Sequence, residues 1–419
     1  MTVKGFKKDT GYGSLFEGIV FLAYSRTPFG RLCGGFSEVP ATELGVLASR
    51  DAIRKSGIDA KNIDFVCFAN VGASSADAFF TPRHVGLYSG VPLTTPALLV
   101  QRICGSGFEA IAQAAEHLAL GKATLALAGG TENLTRMPTV SYANRLGYPI
   151  GRPVFVDYLW EAFLDTAVDM PMGMTAEEVG RRFGIKRKEC DEFAMLSQAR
   201  YAKAFKSGFL KDEIVPVTNC VLEASGLKPR KVRLPKKIDV INADEHARET
   251  TMEKLGELPP VYNKDGVLTA GNSCGIVDGA AAVVMATEEY AKAHNLKPIA
   301  RLVSSGTCGV EPRVMGIGPV PASRIAMEIA GLKINQIDLV EINEAFAAQY
   351  IAVEKELGLD REKTNIDGGA IAYGHPYGAT GVRLTGTLIH KLKRLNKKFG
   401  MSSACIGGGQ GMTLVIESV

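Results

Sequence analysis

The 419-residue sequence contains no Cys-x-x-Cys pair. Its eight cysteines (33, 67, 104, 190, 220, 274, 308 and 405) are scattered along the chain. That spacing argues against a disulfide-stapled secreted module and a structural zinc site, and for reduced thiols in a cytosol-like compartment. No apolar run approaches membrane-spanning length, so no transmembrane segment is expected. Residues 1–15 mix Lys4, Lys7 and Lys8 with Asp9 and hold no apolar core, so no secretory signal is expected. They also lack the Arg and Ser enrichment of a transit peptide. The net charge of +4 is too small to argue for nucleic-acid or membrane binding. These absences predict a cytoplasmic protein that binds neither nucleic acid nor membrane.

Glycine, by contrast, is abundant: 46 residues, clustered in short runs beside reactive residue types rather than in linkers. The length predicts two or three domains. Buried strands are expected at Ile19–Tyr24, Ile63–Val71, Thr124–Gly130 and Ala280–Ala286, with helices at about 42–56, 80–89 and 106–118 between them. Strands alternating with helices predict an α/β protein with a largely parallel sheet. From about Leu134 to Thr269 the pattern breaks into short turns, charged helices (176–183 and 187–207) and a basic, proline-punctuated segment. This reads as an insertion. The expected organisation is therefore an N-terminal domain over 1–133, completed by about 276–297, an inserted loop domain over 134–275, and a C-terminal domain over 298–419.

The chain is organised around Gln101-Arg102-Ile103-Cys104-Gly105-Ser106-Gly107-Phe108. An apolar run precedes it and a helical pattern comes after, so Cys104 is expected at a strand-to-helix junction. Unpaired N–H groups and the positive helix end there favour a thiolate. A repeat supports this placement. Gly57-Ile58-Asp59-Ala60-Lys61-Asn62-Ile63-Asp64 is echoed by Gly331-Leu332-Lys333-Ile334-Asn335-Gln336-Ile337-Asp338. The turn-helix-strand unit around Cys104 is echoed, at nearly the same offset, by Gly374-His375-Pro376, a helix from about Gly378 and the strand from Met401. Two units at one offset predict a duplicated α/β domain, with Cys104 and His375 at equivalent junctions that converge across a pseudo-twofold axis.

Three C-terminal segments carry further chemistry: Asn343-Glu344-Ala345-Phe346 after a strand, His375 on a glycine-rich turn, and Cys405-Ile406-Gly407-Gly408-Gly409 at a strand end. A nucleophilic thiol, an imidazole to deprotonate it, a second acid/base and exposed backbone N–H groups make an acyl-transfer site. Each motif alone has a bland reading, such as a helix cap for Asn343 or a packed thiol for Cys405. Their order on a duplicated scaffold does not.

On Cys-Gly-Ser-Gly at 104–107, Asn-Glu-Ala-Phe at 343–346, Gly-His-Pro at 374–376 and Cys-Ile-Gly-Gly-Gly at 405–409, the chain resembles the thiolases over essentially its whole length. Ala243-Asp244-Glu245-His246 and Thr269-Ala270-Gly271-Asn272 extend the likeness into the insertion. The resemblance implies duplicated αβαβα layers with an inserted loop domain, and ping-pong acyl transfer between a 3-oxoacyl-CoA and CoA, or the reverse Claisen condensation. It implies that Cys104 is acylated, His375 activates it, and Cys405 moves the proton of the α-carbon or leaving group. Asn343 would hold a water that, with His375, stabilises the enolate oxygen, and the N–H groups of Cys104 and Gly407 would form an oxyanion hole. Coenzyme A enters as a substrate, with no permanent cofactor and no metal. The resemblance also implies a homodimer or homotetramer, and some relatives use a small accessory protein.

Two departures bear on specificity. Many short-chain thiolases have His-Met-Gly over the acyl pocket, where this chain has Pro171-Met172-Gly173. That points away from acetoacetyl-CoA and towards a longer, branched or aromatic acyl group. Where the family commonly has Ser-Gly after Gly-Asn-x, this chain has Cys274-Gly275, so Ser273 or backbone would serve the pantetheine. Phe155, Tyr158, Trp160 and Phe163 are either acyl-pocket residues or a small core of the insertion. The basic run holding Lys228 and Arg230 suits the 3′-phosphate-ADP end of CoA. A ketoacyl-synthase-like condensing enzyme would lack Cys405 and the Asn343 segment. A papain-type protease fails because Gly107-Phe108 replaces its Cys-[Trp/Tyr] pair. The remaining rival, a non-catalytic subunit with this fold, is opposed by four intact motifs.

Overall fold

A computed structural model describes all 419 residues. Thr2–Lys8 (β1) and Gly11–Glu17 (β2) form an antiparallel hairpin at the start of the chain. No element was expected there from sequence, because a half-exposed hairpin carries no continuous apolar run. Strands Ile19–Arg26 (β3), Phe65–Ala69 (β4), Leu125–Glu132 (β6) and Val277–Thr287 (β7) are buried at every residue. Their near-continuous apolar composition reflects cover on both faces. Ala97–Val100 (β5) lies at the edge of this half of the sheet.

One twelve-stranded sheet runs through the molecule. Its C-terminal strands are Ala300–Gly309 (β8), Leu339–Ile342 (β9), Phe399–Ile406 (β10) and Gln410–Ser418 (β11). The order β9-β10-β11-β8-β3-β7-β6-β4-β5 shows the duplication directly. Going outward from β3, the N-terminal half pairs antiparallel, antiparallel, parallel, parallel. Going outward from β8, the other half pairs antiparallel, antiparallel, parallel, and Val340 then makes a parallel bridge to Thr364. The sheet is therefore mixed, not largely parallel as the sequence suggested. Its centre is antiparallel because β10 and β11 are joined by a tight turn, and β7 returns from the insertion rather than from a crossover helix. The halves join where Ala300 and Arg301 of β8 pair with Phe21 and Val20 of β3.

The sequence echo has structural counterparts at its first and last residues. Helix Ala41–Ser56 (α1) ends at Gly57 with φ 74°, and helix Pro319–Ala330 ends at Gly331 with φ 67°. Both are left-handed caps that glycine adopts without penalty. Asp64 accepts from the N–H groups of Thr124 and Leu125, and Asp338 from those of Lys398 and Phe399, tying one strand start to the next in each half.

The remaining helices of eight or more residues are Thr81–Tyr88 (α2), Ser106–Ala119 (α3), Met172–Arg182 (α4), Arg187–Lys206 (α5), the just-named Pro319–Ala330 (α6), Ala347–Leu357 (α7) and Tyr377–Arg394 (α8). Helices α1 and α2 cover the outer face of the N-terminal half, and α6 that of the C-terminal half. Helices α3 and α8 pack against each other between the halves, in a core that draws Phe108, Ile111, Val382 and Leu388 from both. The insertion divides between the halves. Helices α4 and α5 lie on α7, while Arg230–Val232 pairs with Cys220–Leu222 on the α1 side. Buried Arg26, held by Glu213 at 2.9 Å and Asp244 at 2.6 Å, fastens the insertion to β3.

Candidate active site

Cys104 sits on the turn that leads into α3. Ile103 just before it has φ 44°, a left-handed conformation that is costly for a β-branched residue. Ser106 holds the turn in place: its hydroxyl donates to Ile103 O at 2.6 Å and accepts from Arg102 N–H at 2.7 Å. The strain aims the sulfur into a cavity of about 480 Å³, where His375, Cys405, Cys274, Ser273 and Met172 also line the wall. Seventeen of the 26 lining residues are hydrophobic, so charge on this sulfur is poorly solvated.

His375 occupies the equivalent position before α8. Gly374 precedes it at φ 92°, and a Cβ there would collide with Val277, so the turn needs glycine. The Thr380 hydroxyl donates to Pro376 O at 2.9 Å, so at 2.6 Å from His375 Nδ1 it must accept the ring N–H. That leaves Nε2 with its lone pair, 3.3 Å from Asn343 Nδ2. Asn343 is fully buried, and its Oδ1 makes no hydrogen bond within the protein.

The Asn343 segment is pinned by Glu344. This buried carboxylate accepts from Ser197 at 2.7 Å, Asn365 at 2.8 Å and Ile371 N–H at 3.2 Å. Loop 269–275 is sewn to the same segment. Ala347 N–H donates to Asn272 O, Cys274 N–H to Ala345 O, and Ser273 bridges Phe346. Cys405 is the penultimate residue of β10, and Gly408 and Gly409 at φ 81° and 85° turn the chain just beyond it.

The electrostatics favour neutral groups at rest. Burial pushes the Cys104 thiol up to about 11, although the N–H groups of Gly407 and of Cys104 itself point at the sulfur and pull it down. Proximity to the α3 terminus does not make a resting thiolate, contrary to the expectation from sequence, because desolvation wins. Burial first, and then the Arg383 guanidinium, hold His375 down at about 3. Burial and the charges of Cys104 and Cys274 push Cys405 well above the usual thiol range. An uncharged thiol beside an uncharged imidazole can form an ion pair only as the reaction proceeds.

The family models decide what this arrangement belongs to. The thiolase N-terminal domain model matches residues 19–289, and the thiolase C-terminal domain model matches 296–418. The chain belongs to the thiolase family. It is 43% identical over 407 residues to the human mitochondrial 3-ketoacyl-CoA thiolase, covering 97% of this chain and 99% of the relative. It is 40% identical to the β-ketothiolase BktB of Cupriavidus necator, with 96% and 99% covered. The crystal structure of the human mitochondrial enzyme in complex with CoA superimposes with a TM-score of 0.91 at 42% identity, covering 97% of this chain and 99% of that one. The acetyl-CoA acetyltransferase structure from Bacillus anthracis gives 0.90 at 39%, covering 97% and 100%.

This thiolase is an acyltransferase of duplicated αβαβα architecture. Trp160 and Phe163 line its cavity, whereas Phe155 and Tyr158 do not. Neither Lys228 nor Arg230 reaches the cavity: the Arg230 guanidinium is held by Glu43 at 2.9 Å and Asp77 at 2.8 Å, on the α1 side. The cationic side chains on the cavity are instead Arg31 and Arg248, which sequence reasoning passed over. Their signal lay in the Asp244-Glu245-His246 motif. Asp244 accepts from Phe29 N–H, and Glu245 from Arg31 and Gly35 N–H, which brings the loop around Arg31 to the mouth. Tyr377, directly after His375-Pro376, and Tyr262 also line the wall and were missed.

Proposed function

We propose that this thiolase cleaves a 3-oxoacyl-CoA with CoA, or runs the reverse Claisen condensation, by a ping-pong route through acyl-Cys104. His375 Nε2 takes the Cys104 proton, and the sulfur adds to the 3-oxo carbon. The bond between carbons 2 and 3 breaks, its electron pair forms the enolate of acetyl-CoA, and Cys405 protonates that carbon. The thiol of a second CoA then gives its proton to the Cys405 thiolate and displaces Cys104 from the acyl group, and Cys104 takes back the proton held on His375. The N–H groups of Gly407 and Cys104 hold the acyl oxygen, and Asn343, through its unpartnered Oδ1, holds a water for the enolate oxygen. The observation that carries this reading is one apolar cavity lined by Cys104, His375 and Cys405, with Asn343 donating to His375.

Coenzyme A serves as substrate, and the crystal structure of the human relative with CoA supports this. Ser273 and Cys274 meet the pantetheine, with Ser273 Oγ buried on the wall without a protein partner. Pro171, Met172, Trp160 and Phe163 on the cavity favour a longer, branched or aromatic acyl group over acetoacetyl-CoA. Exposed Phe79, Phe80 and Leu93 support assembly into a homodimer or homotetramer. No helix is long and apolar enough to cross a membrane. We place the chain in the cytoplasm on its eight free cysteines, although the human relative is named mitochondrial; cell fractionation decides between the two.

The test is intact-mass spectrometry after exposure to a panel of acyl-CoAs and 3-oxoacyl-CoAs. One acyl adduct, absent in Cys104→Ala and reversed by CoA, is expected, and its mass identifies the acyl group. Preferential turnover of acetoacetyl-CoA would overturn the specificity reading. No adduct with any thioester would favour a non-catalytic subunit or one that needs an accessory protein.

A further inference from the structure

Tyr377 opens α8 and is 8% exposed. Its ring meets His375 edge-on at 4.9 Å between centroids and Phe163 at 6.1 Å. It lines the cavity beside Cys104. Both ring contacts are edge-on, the phenol oxygen makes no hydrogen bond within the protein, and the side chain forms part of the cavity wall. A buried tyrosine ordinarily finds a partner for its hydroxyl.

The demand for a donor is at the neighbouring sulfur. Two backbone N–H groups, from Gly407 and Cys104, face Cys104, while an apolar wall withholds water from the charge that forms when its proton leaves. We propose that the Tyr377 O–H is a third donor, hydrogen-bonding Cys104 Sγ as it becomes charged, so that Tyr377 is a further catalytic residue of this thiolase. The Cys104 proton goes to His375 Nε2, and Tyr377 keeps its own. Burial first, and then the charge of Cys104, raise its phenol well above the usual range, so it stays a donor throughout. The other groups facing this corner are Cys405 from β10, Cys274 and Tyr262 from the insertion, and Glu132 from β6.

The inference rests on Cys104 being the nucleophile, and Tyr377→Phe tests it while keeping the ring on His375 and Phe163. The readouts are the pH dependence of iodoacetamide alkylation at the Cys104 peptide, measured by mass spectrometry, and the rate of acylation by an acyl-CoA. Losing a hydrogen bond to a charged group is expected to raise the apparent pKa by about one unit and slow acylation about tenfold, with KM changed less than about twofold. A ring that only packs predicts no shift, because phenylalanine packs the same way. An unchanged pH profile and rate in Tyr377→Phe, with a wild-type melting curve, would overturn the inference. Full acylation of Cys104→Ala would instead overturn the nucleophile assignment, whatever Tyr377 does.

Discussion

Gly107 of α3 and Gly381 of α8 touch backbone to backbone: a Cβ on Gly107 would lie 2.7 Å from the amide of Val382 and 2.8 Å from that of Gly381. A Cβ on Gly381 would in turn press on Phe108 N. This crossing sets the separation of the two helix starts, and therefore of Cys104 and His375. Neither neighbour is a flexible side-chain end that could give way.

Gly107→Ala is expected to cost about 1–3 kcal/mol by overpacking, and to slow acylation because the helices spread. Chemical denaturation and the single-turnover acylation rate check both effects. Unchanged stability would mean that the helices part without penalty.

Asn343→Ala separates the two half-reactions. Asn343 donates to His375 Nε2 and is assigned the enolate oxygen, which forms only when a carbon–carbon bond breaks or is made. Cleavage of a 3-oxoacyl-CoA should fall about 10²–10³-fold, while a simple acyl-CoA still labels Cys104. Equal loss in both reactions would place Asn343 in sulfur activation instead.

Arg230→Ala and Arg248→Ala should behave differently. Arg230 is spent on Glu43 and Asp77, so its loss is expected to destabilise the fold by about 1–3 kcal/mol and leave the KM for CoA unchanged. Arg248 lines the cavity, so its loss should raise that KM with little change in the urea midpoint. A raised KM in Arg230→Ala would restore the basic segment to the CoA site.

His246 gives a pH signature. Burial, and then Arg248, hold it down at about 4, below the ordinary histidine value of 6.5. Between these values the unfolded chain binds the extra proton, so the stability this histidine contributes is intact above 6.5 and is lost as pH falls towards 4. The slope is about 1.4 kcal/mol per pH unit inside that window. Urea midpoints from pH 7 to 4.5 should therefore fall less steeply in His246→Gln than in the wild type. Parallel curves would show that the imidazole is solvated.

Much of the site was legible because its signals are local. Glycine before His375, Ser106 after Cys104 and the glycines after Cys405 each satisfy a steric need within a few residues, and a turn of that shape admits few sequences. The duplication was legible for the same reason: Gly57 and Gly331 cap equivalent helices, and Asp64 and Asp338 tie equivalent strands.

The charges were not legible. Lys228 and Arg230 look free in a basic run, but the insertion folds against α1, where Glu43 and Asp77 claim Arg230. Arg31 stands in an unremarkable loop until Glu245, far along the chain, draws that loop to the cavity mouth. Helical position argued for a Cys104 thiolate, and burial reversed it. Local sequence was enough for the strand–helix alternation of each half, the family and the turns that bring Cys104, His375 and Cys405 to one cavity, since periodicity and turn sterics act over short stretches. Which cations line the cavity, and that burial raises the Cys104 thiol, came only with the folded chain, because desolvation and ion pairing depend on groups hundreds of residues apart.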